Sequence, residues 1–374
     1  MKQHREVYLR HPPERDILFV LGAGASHPDG VPLQKDILPV LFDTGNGNIN
    51  QSRIGQELQQ FLTDNFYIDT RKREYPKLEA VFGFLDYFIL QNESLNAGYS
   101  LSRLLQIKEN LIKIIHYIVN LKTDQHSPTY HRFWKTIAAS NRNVSIITLN
   151  YDTLLEQAFD PLFRTVGYID YCMHLMNYER CPGLTEYNFW VNPKEPVQVT
   201  GDEPPASFNV LKLHGSLNWK YCNCCNQTLL TTWDRTIDLN RGMFVGYTIP
   251  DNREYDYVCP LDRTEFQTLI MPPSYMKSLN NPVLAHLFGE AARELRAARK
   301  IIFIGYSLSD ADVHIKALFR KNLMPATELV VVNPKQSDTI RHQYHALSDR
   351  MQFLPVSFET FISDPEMMTR LIIK

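Results

Sequence analysis

The sequence predicts an α/β protein, a Rossmann-like doubly wound parallel sheet that carries a helical insertion and a small cysteine-bearing lobe. Three observations predict it. Short apolar runs of four to six residues recur at wide intervals (17–21, 144–149, 210–213, 301–304 and 328–332), as strands covered on both faces do. Each run stops at glycine or polar residues: GAGAS at 22–26, NYD at 150–152, HGS at 214–216, GYSLSD at 305–310, and Asn333. From 282 to 332 the order is helix, strand, helix, strand, the signature of βαβ units.

At 374 residues the chain can bury a large core and still support a second lobe. Its net charge of −2 argues against a surface that coats nucleic acid. The basic knot Arg71-Lys72-Arg73 reads as a solvated loop. The polar opening, 1–16, does not read as a secretory signal, and no apolar run approaches the roughly 18 residues of a membrane span, so the expectation is a cytoplasmic protein. Cys222, Cys224, Cys225 and Cys259 crowd together in a metal-like grouping rather than a disulfide framework.

Taken in order, 17–21 is a buried strand that runs into Gly22, Ala23, Gly24, Ala25 and Ser26. There the backbone can turn with no side chain in the way, so amide groups at a helix start could approach a pyrophosphate. The third glycine of the dinucleotide fingerprint and the lysine of the Walker pattern are both missing, so the loop alone decides nothing. Residues 31–42 begin as a helix that Pro39 should interrupt, and 45–50 is rich in turn residues. From 50 to 140 the spacing is helical, with Leu101, Leu104, Leu105, Ile112, Ile115 and Val119 recurring at threes and fours. Phe82, Phe84, Tyr87 and Phe88 read as core. Residues 161–207 show no period. The strand at 328–332 reads as the last one. Asp310 and Asp312 read as helix caps, and His314, His342 and His345 as helix-surface residues. The expected units are a main domain at 1–48 and 141–374, a helical insertion at 49–140, and a cysteine lobe at 219–266.

Open α/β sheets keep their ligands at the carboxyl ends of their strands, so the polar endings should converge on one crevice. In that order they resemble the sirtuin family, the NAD-consuming relatives of silent information regulator two. GAGAS resembles the family's phosphate loop, TLNYD at 148–152 its T-x-N-x-D motif, LHGS at 213–216 its catalytic-histidine motif, GYSLSD its late loop beside the cofactor, and VVN at 331–333 its adenosine-side pair. The resemblance implies NAD+ bound by Gly22, Ala23, Gly24, Ser26, Tyr151, Gly215, Ser216, Gly305, Ser307 and Asn333. It departs from the deacylating members at 30–35, GVPLQK, which lacks their aromatic residue and arginine. It departs also in the zinc ribbon, where Cys222 and Cys225 form one pair but Cys259 is followed three residues later by Asp262. Cys222, Cys225 and Cys259 are the candidate zinc ligands, with Asp262 or Cys224 as a fourth; a degenerate, empty site is the alternative. G-Y-S-L-S-D-x-D and MPPSY-x-K at 271–277 resemble instead a divergent bacterial branch. That branch implies NAD+ hydrolysis in anti-phage defence, often beside a HerA-type ATPase ring.

Cleaving the nicotinamide–ribose bond passes through an oxocarbenium-like centre and needs positioning more than covalent machinery. The expected roles are Asn150 orienting the ribose or the attacking water and His214, with a pKa near neutrality, acting as base. Asp152 would fix neighbouring hydrogen bonds or stabilise positive charge. The insertion is expected to be the surface for homo-oligomer or partner assembly, since it is not needed to hold the cofactor. Three alternatives stand beside this reading: an NAD-dependent protein deacylase, a non-catalytic NAD or ADP-ribose sensor, and a serine hydrolase. The last would use Ser307 with Asp338 or Asp349 and His342 or His345.

Overall fold

The run at 17–21 becomes strand Arg15–Leu21, the middle strand of a seven-stranded parallel sheet. The computed structural model describes residues 14–372 apart from 44, 124–125, 177–197, 201–203, 232–235, 248–253, 256–257, 260, 278 and 336. Across the sheet the order is Met351–Leu354, Glu328–Val332, Ala298–Ile304, Arg15–Leu21, Val144–Thr148, Ala206–Lys212 and Gly167–Asp170, every pair parallel. From the middle strand the chain first builds one half of the sheet and then returns to build the other. The strand ends therefore meet at a topological switch point.

Both faces are covered, which is why the central strands are apolar at every position. Side chains alternate along a strand. Phe19 meets Phe133 of helix Pro128–Ser140 with ring centroids 5.0 Å apart. Phe303, whose register partner is Val20, faces the other way and packs on Phe319 and Tyr344 at 5.2 and 4.9 Å. Five phenylalanine, isoleucine, leucine and valine side chains at 17–21 are all at most 3% exposed; burying each one contributes roughly 1.5–3 kcal/mol.

Three expectations change. Helix Gln34–Phe42 runs through Pro39, because proline removes only the one bond to the carbonyl of Lys35 and the buried Ile37, Leu38 and Leu41 outweigh it. Glu328–Val332 is not the last strand. Met351–Leu354 adds an edge with all four residues half-buried, and so without an unbroken apolar run in sequence. Gly167–Asp170 forms the opposite edge inside the stretch that shows no period, much of which (177–197) lies outside the described residues.

Helices Arg53–Asn65, Leu78–Gln91 and Leu101–Lys122 form the insertion, packed around Leu58, Phe61, Phe82, Leu85, Ile107 and Leu111. Ser52 and Ser100 cap two of them by accepting the amides of Gly55 and Arg103. Pro128–Ser140 does not belong with this group. Its Trp134 lies 4.7 Å from Phe159 and 5.3 Å from Phe208, so we place it with the sheet and end the insertion before it.

The cysteine lobe contains the antiparallel strands Gly215–Tyr221, Thr228–Leu230 and Gln267–Ile270, beside a second small sheet. It touches the insertion: the Ile54 amide donates to Leu239 O at 3.2 Å, and the Lys220 ammonium lies 3.5 Å from the centre of the Phe244 ring, which also meets His116.

Candidate active site

Arg15–Leu21 ends at Gly22, and the glycine loop after it is pressed onto the loop after Ala298–Ile304. A Cβ on Gly22 would stand 2.7 Å from Tyr306 Cα, and one on Gly24 2.8 Å from the Gly305 carbonyl oxygen. Gly305 has φ +62°, and its own Cβ would meet the Ala25 amide nitrogen at 2.3 Å. The glycines thus serve first to let two strand-end loops touch. The amides of Gly22 and Gly24 are spent on the carbonyls of Ile304 and Gly305, at 3.0 and 2.9 Å. Ser26 is fully buried, bonded to Tyr130 Oη at 2.9 Å.

Asn150 follows Val144–Thr148. Its Nδ2 donates to the Gly22 carbonyl and to Ser26 Oγ, both at 3.0 Å. The carbonyl can only accept, so the orientation of the amide is fixed and Oδ1 is the atom left over. Asn150 lines a cleft of about 790 Å³. Asp152 lines it too. Its Oδ1 accepts from the Leu154 amide at 3.1 Å, and its buried Oδ2 is left without a well-formed hydrogen bond. Burial raises the Asp152 carboxyl above the usual range against the pull of Lys212. A carboxyl held toward its neutral form is better suited to hydrogen bonding than to balancing a positive centre.

His214 follows Ala206–Lys212 and is 5% exposed. Its Nε2 meets Nε2 of His314 at 3.1 Å, and its ring also bonds the Leu149 carbonyl. Burial, with the Lys277 ammonium nearby, lowers its pKa to about 3. The near-neutral pKa expected for it is therefore wrong: both neighbouring effects penalise the imidazolium, and Asp312 opposes them only in part. His314 is lowered to about 4 by burial and Lys277. Two neutral rings sharing one hydrogen bond is the consistent state.

His314 and Asp312 correct the sequence reading. His314 is half-buried between His214 and Phe288 rather than on a helix surface. Asp312 makes no side-chain cap. Its Oδ1 takes the Lys277 ammonium at 2.6 Å and its Oδ2 the Tyr306 hydroxyl at 3.1 Å. This bond joins the late loop to the MPPSY-x-K segment, two motifs that carry no sign in sequence of belonging together. His214, Asp312 and His314 lie close enough to share a cation, but one would have to displace the ammonium that Asp312 already holds.

Of the expected site residues, Gly22, Ala23, Asn150, Tyr151, Asp152, His214, Gly305 and Ser307 line the one cleft. Gly24, Ser26, Gly215, Ser216 and Asn333 stand behind it. Gly215, at φ +75°, lets strand Gly215–Tyr221 pass against the Leu269 carbonyl; Ser216 Oγ donates to Asn218 Oδ1 at 2.7 Å; and Asn333 Oδ1 accepts from the Lys335 amide at 3.0 Å. Among the described residues no hydrogen bond joins Ser307 to a histidine, and His342 and His345 are not in the cleft, so the serine-hydrolase reading has no assembled base. The insertion supplies one wall through Arg73, Tyr75, Lys77, Leu78, Glu79, Ile115 and Val119. It is therefore part of the site, contrary to expectation.

In the lobe, ligand atoms of Cys222, Cys225, Cys259 and Asp262 all lie within 4.8 Å of one another. Two thiolates on one tetrahedral zinc stand about 3.8 Å apart, and the Cys225 and Cys259 sulfurs are 3.8 Å apart. The Thr264 amide holds the Asp262 carboxyl well below the usual range, keeping it anionic. The donor set fits zinc, with Asp262 in place of a fourth thiolate and Cys224 exposed outside it.

The SIR2-like domain model matches residues 144–348. No match is found among curated proteins. Among solved structures, similar chains include a Sir2 homologue mutant in complex with ADP-ribose, at 14% identity over 96% of this chain and 92% of that one (TM-score 0.44). Others are a Sir2 homologue–NAD complex, at 13% identity over 96% and 90% (TM-score 0.44), and Sir2Tm bound to a propionylated peptide, at 14% over 94% and 91% (TM-score 0.41). With the family match spanning more than half of its length, this chain belongs to the SIR2-like domain family.

Proposed function

We propose that the chain is an NAD+ hydrolase that cleaves the nicotinamide–ribose bond to give nicotinamide and ADP-ribose. The observation that carries this reading is the meeting of Asn150 and His214, from separate strands, in one cleft closed by the Gly22 and Gly305 loops. The ribose–nitrogen bond breaks, its electron pair leaves with nicotinamide, and a water oxygen adds to the ribose carbon and gives up a proton. So electrophilic a centre needs little help from a base. His214, with a pKa of about 3, is neutral. Its Nε2 lies against His314 Nε2 at 3.1 Å, so it accepts from the water or a ribose hydroxyl only as that hydroxyl takes the place of the His314 nitrogen, and it takes a proton only late. Asn150, with Nδ2 pinned, presents Oδ1 to the same group.

Zinc, held by Cys222, Cys225, Cys259 and Asp262, would cross-link the lobe and supply no chemistry to the cleft. The resemblance of G-Y-S-L-S-D-x-D at 305–312 and MPPSY-x-K at 271–277 to a divergent bacterial branch supports a role in anti-phage defence by NAD+ depletion, in the cytoplasm, as a homo-oligomer switched by a partner such as a HerA-type ATPase. A free NAD+ hydrolase would harm its own cell, so the isolated chain should be only weakly active. The test is chromatographic quantitation of nicotinamide, with and without such an ATPase and an acyl-lysine peptide. The reading expects release independent of peptide and lowered roughly 100-fold in Asn150→Ala. Release that requires the peptide would make the protein a deacylase, and tight NAD+ binding without release would make it a sensor.

A further inference from the structure

The cleft has a wall that the sheet does not supply. Arg73 and Lys77 line it, and both belong to the connection between Arg53–Asn65 and Leu78–Gln91. That connection is a built turn. Asp69 and Glu74 exchange backbone bonds of 3.0 and 2.9 Å, the Asp69 carboxylate accepts the amides of Arg71 and Lys72 at 3.0 and 3.1 Å, and the Tyr75 ring lies 5.7 Å from Phe42. It holds Arg73 at φ 56° at the rim of the cleft, where the side chains of Arg73 and Lys77 line it while remaining exposed to solvent.

The charges around the cleft do not cancel. Of its acids, Asp310 is paired with Lys316 at 2.9 Å and Asp312 with Lys277 at 2.6 Å, which leaves Glu79 and the buried Asp152. Arg73, Lys77, Lys35 and Lys335 also line it, and none has an ion-pair partner among the described residues. Four cations therefore face two carboxyl groups, Glu79 and the buried Asp152. The glycine loop has little left for an anionic ligand, because the amides of Gly22, Gly24 and Ala25 are already bonded to Ile304, Gly305 and Gly22 carbonyls, which leaves the Ala23 amide. Charged donors make the stronger hydrogen bonds to phosphate oxygens.

We propose that this turn is the diphosphate-binding wall of the cleft, with the Arg73 guanidinium and the Lys77 ammonium holding the phosphates of a nucleoside diphosphate ester. The choice of ligand rests on the NAD+ reading; the anion site does not. The test is calorimetric titration of the full chain with ADP-ribose, inorganic pyrophosphate and adenosine. Arg73→Gln and Lys77→Gln should each weaken ADP-ribose and pyrophosphate about tenfold, more together, and leave adenosine unchanged. Lys72→Gln, which removes a charge paired with Asp69 outside the cleft, should bind as wild type. Unchanged ADP-ribose affinity in the double variant, or a wild-type chain that binds neither phosphate probe, overturns the proposal. Wall-dependent pyrophosphate binding with no nicotinamide release under any condition would overturn the hydrolase reading alone.

Discussion

Gly305 shows how a residue that looks like a turn in sequence becomes a constraint in space. Its φ of +62° and the Ala25 nitrogen 2.3 Å from any added Cβ leave room for glycine only. Gly305→Ala should cost at least about 2 kcal/mol of stability, read by denaturant unfolding; an unchanged midpoint would mean the two loops do not touch. The His314 ring nitrogen meets that of His214 at 3.1 Å. His314→Gln keeps a hydrogen-bonding group against the ring but removes one titrating site, so it should preserve the fold and alter the acid limb of the rate profile. A profile identical to wild type would mean the pair is only packing. Asn150, His214 and Gly305 were legible in sequence because each directly follows an apolar strand. His314 and Lys277 were not: each lies on a polar stretch, and what makes them matter is a partner about 100 residues away in one case and 35 in the other.

At the level of elements, the strands legible in sequence are the central ones, covered on both faces. The edges Gly167–Asp170 and Met351–Leu354 bury less and carry no continuous apolar signal. The lobe shows the same limit for ligands. Cys222 and Cys225 announce a metal pair by spacing and Asp262 stands three residues after Cys259, but the choice of Asp262 over Cys224 as the fourth ligand shows only in the turn fixed by Thr264. Purified protein should contain about one zinc per chain, measured by plasma emission. Cys225→Ser and Asp262→Ala should each lose it and lower the melting temperature, and a metal-free wild type would contradict the assignment. Between strand and helix, Lys212 and Glu156 form a fully buried pair at 2.7 Å. Lys212→Met strands a buried carboxyl and should destabilise by roughly 3 kcal/mol, again by chemical denaturation; a loss under about 1 kcal/mol would show that protonated Glu156 tolerates the apolar site.

For the whole molecule, stability should depend on pH through its buried histidines. His214 and His314 have pKa values of about 3 and about 4, and His116 lies well below its ordinary 6.5, all by burial first. Unfolded, these groups bind protons below about 6.5, and folded they resist until far lower. The unfolded state thus holds more protons in that window, and stability falls as pH drops from 6.5 toward 3. Buried Asp152 and Glu156, with raised values, act in the opposite sense. The histidine contribution is isolated by comparing wild type with a His214→Gln, His314→Gln variant, whose melting temperature should fall less steeply with acid. Equal slopes would contradict the buried neutral pair. The insertion touches both the cysteine lobe and the cleft, so a partner seated on it has a physical route to the site. Those two contacts are invisible in a linear pattern of helical spacing, which reports only that the helices are amphipathic.

The account depends most on what the cleft does to a dinucleotide. The direct measurement is the fate of NAD+ incubated in ¹⁸O-labelled water with wild type and His214→Ala, each with and without a HerA-type ATPase partner, with the products resolved by mass spectrometry. The account predicts nicotinamide and ADP-ribose in equal amounts, with label on the ribose carbon that lost nicotinamide and both products nearly absent from the variant. NAD+ left intact both with and without the partner, or turnover unaffected by loss of His214, would contradict it.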